Sequence, residues 1–167
     1  SLKAAKRKVS STGTLKRNKQ AAAEGLHLAS WLAHQRELTI EEVWVPQSLL
    51  NHAEWPAIQS GLAGLDCTLF HVSDALYKRL SDLQTPTGPL ILFNVPNTRS
   101  SIDLSDDVVV LDGIQDPGNV GTILRNCAAA GIRQVVLSDD SAWAWSEKVL
   151  RAGMGAHSKL ELFDDES

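Results

Sequence analysis

Arg125 and Asn119 are the residues of this chain whose type and setting could do chemistry. A guanidinium is a planar, permanently charged fork that can grip a phosphate through two parallel hydrogen bonds. Arg125 stands three residues after Thr122 and opposite Ile123 and Cys127. It therefore projects from the polar side of a helix, and the helix start favours anions. Asn119 lies between Gly118 and Gly121, where the backbone can approach a ligand closely. A phosphodiester suits this geometry. The bland alternative is a surface arginine lying along its own helix.

The elements that must position these residues follow from the surrounding pattern. Val108 to Leu111 is an aliphatic, β-branched run of the length of one buried strand. Asp112 to Gly118 is a polar loop whose Asp-Gly and Asp-Pro-Gly steps break both helix and strand. Asn119 is the expected N-cap, and Val120, Ile123, Leu124, Cys127 and Ala130 then recur at the spacing of one helix face. Gly131 is the expected C-cap, and Ile132 to Leu137 the next buried strand. The unit is strand, loop, helix, strand.

This segment, DGIQDPGNVGTILRNCAAAG, resembles the first signature motif of the SpoU (TrmH-like) RNA 2′-O-ribose methyltransferases, of the SPOUT superfamily. That motif has the form D-x-x-x-D-P-x-N-x-G-x-x-x-R-x-A-x-x-x-G. Asp112, Asp116, Pro117, Asn119, Gly121, Arg125 and Gly131 match it, and Cys127 stands where a small residue, often alanine, is usual. KVLRAGMGA, Lys148 to Ala156, resembles the family's K-x-x-R-x-S-x-G-A segment, with Gly153 in place of the usual serine.

Composition bounds what surrounds the motif. The chain has 167 residues, 43% hydrophobic and 22% charged, enough for one large or two small globular domains. A net charge of −4 argues against a wholesale nucleic-acid coat but allows a local basic patch. Lys3, Lys6, Arg7, Lys8, Lys16, Arg17 and Lys19 form such a run with no acid among them. It is either an arm that touches nucleic acid or a solvated helix face. Cys67 and Cys127 match no metal spacing and suit buried thiols in a reducing compartment. No apolar run of membrane-spanning length and no signal peptide is seen, so no membrane contact is expected and the cytoplasm is the expected location.

The first half of the chain alternates strand and helix. Gln20 to Arg36 suggests an amphipathic helix carrying Ala23, Leu26, His27, Ser30, Trp31 and His34. An extended EEVWV follows, then a helical stretch from Pro46 to Leu50 broken near Trp55-Pro56. Cys67 to Val72 is a strand, ALYKRLSDL a helix capped by Ser73 or Asp74, and Pro89 to Val95 a further strand. Trp31 and Trp44 are expected in the core. His27, His34, His52, His71 and His157 form no acid-base or metal constellation. Asp139-Asp140 suits a solvated turn and Asp164, Asp165 and Glu166 an acidic end; Trp143 and Trp145 could stack bases or fill a half-buried segment.

The resemblance extends less specifically into this half. AEGLHLA is similar to the E-G-x-x-L segment opening the family's substrate domain, and VSDALYKRLSDLQTPTG to its closing helix and T-P-x-G turn. The implied fold class is α/β: a small ribosomal-protein-like α/β substrate domain, then the first half of a SPOUT-type knotted methyltransferase domain. We expect residues 1–97 to bind RNA, 98–106 to link and 107–167 to form the partial catalytic domain. Neither the N-E-G loop nor the S-L-N turn of the knot occurs, so the S-adenosyl-L-methionine pocket is expected in a missing carboxy-terminal part, with no cofactor ligand in this chain. The start at Ser1 suggests an incomplete amino-terminal end, and the exposed half-sheet would aggregate unless another chain covers it.

The implied activity is methyl transfer to a ribose 2′-hydroxyl of rRNA or tRNA, the 167-residue chain alone being inactive. Arg125 matches the family's catalytic arginine, gripping phosphate and orienting the hydroxyl, and Asn119 the motif's asparagine. Lys16, Arg17 and Lys19 are the expected substrate contacts from the basic run. Family members act as homodimers, with this helix near the contact. Two rivals remain: a non-enzymatic RNA-binding module, and an unrelated phosphate-binding α/β enzyme, against which the missing G-x-G-x-x-G and G-K-[ST] count.

Overall fold

The computed structural model describes residues 11–164 apart from 82, 84, 86 and 98–100. Lys3, Lys6, Arg7, Lys8, Asp165 and Glu166 lie outside the described residues. The chain is α/β and divides into two compact units, residues 1–95 and 96–167.

The first unit is one mixed sheet with helices. A short helix α1 (Thr12–Arg17), capped by Ser11, precedes strand β1 (Gln20–Glu24). Then come α2 (Leu26–Ala33), β2 (Ile40–Pro46), a 3-10 turn at Gln47–Asn51 and α3 (Trp55–Leu62). β3 (Thr68–Val72), α4 (Asp74–Leu80) and β4 (Leu90–Asn94) complete it. The sheet order is β1-β4-β2-β3, with β4 antiparallel to both neighbours and β2 parallel to β3.

Three expectations are corrected here. Gln20–Glu24 is a strand, not the start of a helix: all five residues are buried against β4, and Gly25 at φ 114 ends the strand before the helix can begin. Tertiary pairing overrides the helix preference of the three alanines. Trp55-Pro56 starts α3 instead of breaking a helix, because proline is tolerated in the first helical turn. Trp31 and Trp44 are half-buried, and Trp55 is the tryptophan at the core of this unit. Trp44 stacks on Phe70 of the edge strand β3, ring centroids 4.2 Å apart.

Gly25 of the E-G segment and Gly88, the last residue of the T-P-x-G segment, meet in space. A Cβ on Gly88 would lie 2.3–2.7 Å from backbone atoms of Gly25 and Leu26, so only glycine allows the two backbones to cross. Glu24, buried beside this crossing, accepts the Ser81 hydroxyl at 2.7 Å and lies 3.2 Å from the Tyr77 hydroxyl, which donates to the Gly88 carbonyl at 2.6 Å. A buried carboxylate without such donors would cost several kcal/mol, about 3 or more.

In the second unit, β5 (Val108–Leu111), α5 (Pro117–Ala130), β6 (Gln134–Leu137), α6 (Glu147–Gly153), a 3-10 turn at Ala156–Lys159 and β7 (Glu161–Asp164) follow in order. The three strands are parallel, ordered β5-β6-β7. β7 was not expected from the sequence. The Gln134 side chain, buried on β6, binds both the Asp103 backbone N–H (2.7 Å) and carbonyl (2.9 Å), standing in for a strand partner. Arg133 adds an ion pair to Asp106 at 2.8 Å, so the stretch from Asp103 to Asp106, expected as linker, is tied to this sheet.

His157 is the buried titratable group here, 3% exposed, with its ring against Trp145. Its Nε2–H donates to the Ala144 carbonyl at 2.8 Å. Burial lowers its pKa from 6.5 to about 4, the hydrogen bond opposing only part of that shift. The fold thus holds a neutral ring that the unfolded chain protonates first. Stability from this residue is intact above about pH 6.5 and is lost between there and pH 4, by roughly 3 kcal/mol. Urea midpoints across that range should fall more steeply for the unsubstituted protein than for His157→Leu; parallel curves would refute the assignment.

Candidate functional site

The site is built around the start and exposed face of α5. Asp116 is the N-cap and its carboxylate accepts the Asn119 backbone N–H at 2.8 Å, with Pro117 in the first turn. Asn119 therefore sits inside the helix and is not its cap. The proline, preset to helical φ and lacking an N–H to satisfy, allows the helix to begin earlier than expected. The capping carboxylate also occupies the helix start, so attraction for an anion there is already partly spent on Asp116. Gly131 at φ 80 ends the helix, as expected.

Val120, Gly121, Leu124 and Cys127 point into the unit and are buried. Asn119, Thr122, Arg125 and Asn126 are exposed on the other side. Arg125 makes no hydrogen bond or ion pair among the described residues. It stands six positions after Asn119, about 9 Å further along the helix axis. Burial pushes the Cys127 thiol up, which leaves it an inert packing group.

Gly121 sets how close α5 comes to α6. A Cβ there would lie 2.5 Å from the Ala152 Cβ, 2.7 Å from the Val149 carbonyl and 2.9 Å from the Gly153 nitrogen. Gly153, in place of the serine usual in the resembled motif, has His157 in the space a side chain would take, with Cε1 3.0 Å from an added Cβ. On α6, Arg151 pairs with Glu147 at 2.6 Å and Lys148 is exposed.

Lys16, Arg17 and Lys19 belong to the other unit. Lys16 is half-buried; Arg17 and Lys19 are exposed, and Arg17 touches the Thr14 hydroxyl at 3.5 Å. Lys19 takes φ 51 and its carbonyl accepts the Val95 N–H, so it marks the turn from α1 into β1. Among the described residues no group of His, Cys, Asp and Glu could hold a metal ion. No helix of the described residues is long and apolar enough to cross a membrane.

Sequence reasoning missed the hydroxyls of Ser138 and Ser141, which bind the backbone of the loop before α5. Two serines after a strand are too common to signal this.

Comparison with known proteins adds the following. The SpoU rRNA Methylase family profile matches residues 106–166. The chain is 44% identical over 92 residues to a mitochondrial rRNA methyltransferase 3 of Xenopus laevis, covering 49% of this chain and 21% of that protein. It is 32% identical over 99 residues to RlmP of Bacillus subtilis, a 23S rRNA guanosine 2′-O-methyltransferase, covering 59% of this chain and 38% of that protein. A TrmH-family structure from Porphyromonas gingivalis superposes with a TM-score of 0.77 and 27% identity, over 98% of this chain and 61% of that one. The SpoU methyltransferase AviRb of Streptomyces viridochromogenes, solved with AdoMet, shares the fold at a TM-score of 0.78 and 14% identity, over 98% of this chain and 62% of its own. The chain thus spans about a fifth to two fifths of these two curated relatives and about three fifths of the solved ones.

The α5–α6 crossing gives a direct check. Gly121→Ala should destabilise the protein by about 1–3 kcal/mol through overpacking, measured by urea unfolding. Gly13→Ala in α1, where an added Cβ meets nothing within 4 Å, should cost nothing comparable. Equal effects would show that the crossing does not limit packing.

Proposed function

We propose, on the premise that residues 106–166 belong to the SpoU rRNA methylase family, that the protein takes part in S-adenosylmethionine-dependent 2′-O-methylation of RNA, with rRNA as substrate. The observation that carries this reading is Arg125: exposed, without a partner among the described residues, on the helix that bears the matched motif. An RNA phosphate would supply the partner it lacks, and the guanidinium would hold the neighbouring 2′-hydroxyl in line for attack. The group is too basic to take up the hydroxyl proton, so Arg125 binds and orients. Asn119 hydrogen-bonds the nucleotide from the other flank of the same face. Both relatives are rRNA methyltransferases, which favours rRNA over the tRNA alternative.

When bound, S-adenosylmethionine supplies the methyl group as a sulfonium. The described residues do not by themselves fit it. The Gly113 and Ile114 amides, which face the carboxyl end of the sheet, are already spent on Ser138 and Ser141. A homodimer with α5 near the contact, a cytoplasmic location fitting the two free thiols, and RNA contacts by the first unit belong to the same proposal.

In the natural protein, Arg125→Lys should lower single-turnover methyl transfer by roughly 100-fold, because lysine loses the planar fork, while the thermal melt is unchanged. Turnover near that of the unsubstituted protein would sink the assignment and favour a non-enzymatic RNA-binding module. Replacing Lys16, Arg17 and Lys19 with alanine should weaken RNA binding and flatten its salt dependence by about 2 in the log–log slope, three phosphate contacts' worth. An unchanged slope would make them a solvated face.

A further inference from the structure

The loop that leads into α5 owes its path to two hydroxyls from the next crossover. Ser138 Oγ lies 2.9 Å from the Gly113 nitrogen, and Ser141 Oγ lies 3.0 Å from the Ile114 nitrogen. Ser141 Oγ is also 3.1 Å from the Leu111 carbonyl and 3.3 Å from Ser138 Oγ. Backbone N–H groups can only donate and the carbonyl can only accept, so every proton is placed. Gly113 N–H donates to Ser138, whose hydroxyl donates to Ser141. Ser141 also takes the Ile114 N–H and donates its own proton to Leu111. Both lone pairs and the proton of Ser141 are thereby used.

Main-chain bonds run beside this relay. The Ser138 N–H donates to the Leu111 carbonyl at 3.0 Å, and the Ala142 N–H to the Ile114 carbonyl at 2.8 Å. The far end of the same crossover is held at the Ala144 carbonyl by His157. Ile114 lies two residues before Asp116, whose carboxylate caps α5 and fixes the turn containing Asn119. A shift at Ile114 thus moves the start of the helix that presents Asn119 and Arg125.

We infer that Ser141 is a positioning residue for the reaction: its hydroxyl sets the path of the Asp112–Asp116 loop and so the placement of the α5 face against the substrate. This rests on the α5 face being the substrate site. Ser138 has the lesser share, since its loss frees the Gly113 amide, at an exposed glycine with φ 65, and takes from Ser141 only the longer 3.3 Å bond.

The test uses Ser141→Ala, Ser141→Thr and Ser138→Ala in the natural protein, with two readouts. Amide hydrogen exchange at Ile114 should quicken about tenfold or more in Ser141→Ala, with exchange in β6 unchanged, and return towards the original rate in Ser141→Thr. Single-turnover methyl transfer should fall about tenfold or more in Ser141→Ala while KM for RNA moves less than about threefold, with recovery in Ser141→Thr. Should Ser141→Ala fail to fold, Ser138→Ala carries the comparison through the Gly113 amide, with the same split expected at smaller size. Unchanged exchange overturns the inference, and so does faster exchange with unchanged turnover. An unsubstituted protein that transfers no methyl group counts instead against the function proposed above, and the exchange comparison then decides whether Ser141 holds the loop.

Discussion

The close approach of α5 to α6 is the constraint on which the second unit turns. At Gly121 the helices meet backbone against backbone, with the Val149 carbonyl where a side chain would stand. Contacts this close fix both the separation of the helices and the rotation of α5 about its axis. That rotation decides which residues are left outside. With Val120, Gly121, Leu124 and Cys127 turned inward, Asn119 and Arg125 have nowhere to point but solvent. The chemistry of the exposed face is a by-product of the packing on the buried one.

The first unit uses the same device for a different end. Gly25 and Gly88 allow strand ends to cross at backbone distance, and the polar cost of bringing Glu24 inside is met by hydroxyls from α4 and its exit. These residues share no periodicity; they are far apart in sequence and meet because β1 pairs with β4. Gly25 and Gly88 are the two halves of one contact.

How much could be read beforehand depended on whether the cause was local. The β5–α5–β6 unit was legible because aliphatic runs, Asp-Pro-Gly and Gly131 each act within a few residues of themselves. The helix start was misplaced from Asp116 to Asn119 because both can cap, and only the proline between them decides. Gln20–Glu24 departs from the expected helix because its strand state comes from β4 at Leu90–Asn94, far along the chain, while alanine is intrinsically a helix former. β7, the Gln134 clamp on Asp103 and the serine relay are likewise long-range. Arg125 was legible as a projecting cation, but its lack of a partner needed coordinates.

Gly153 and His157 share one volume, and this makes their histories interdependent. The imidazole occupies the room a side chain at 153 would need, and the missing side chain is what admits the imidazole. The dependence runs one way: a side chain at 153 crowds the ring, whereas glycine at 153 accepts a smaller residue at 157. Gly153→Ser in this background meets a ring already in place, whereas the same change after His157 has become smaller meets open space. A change at 157 to a smaller residue therefore opens the way to a side chain at 153, and the reverse order meets the ring first.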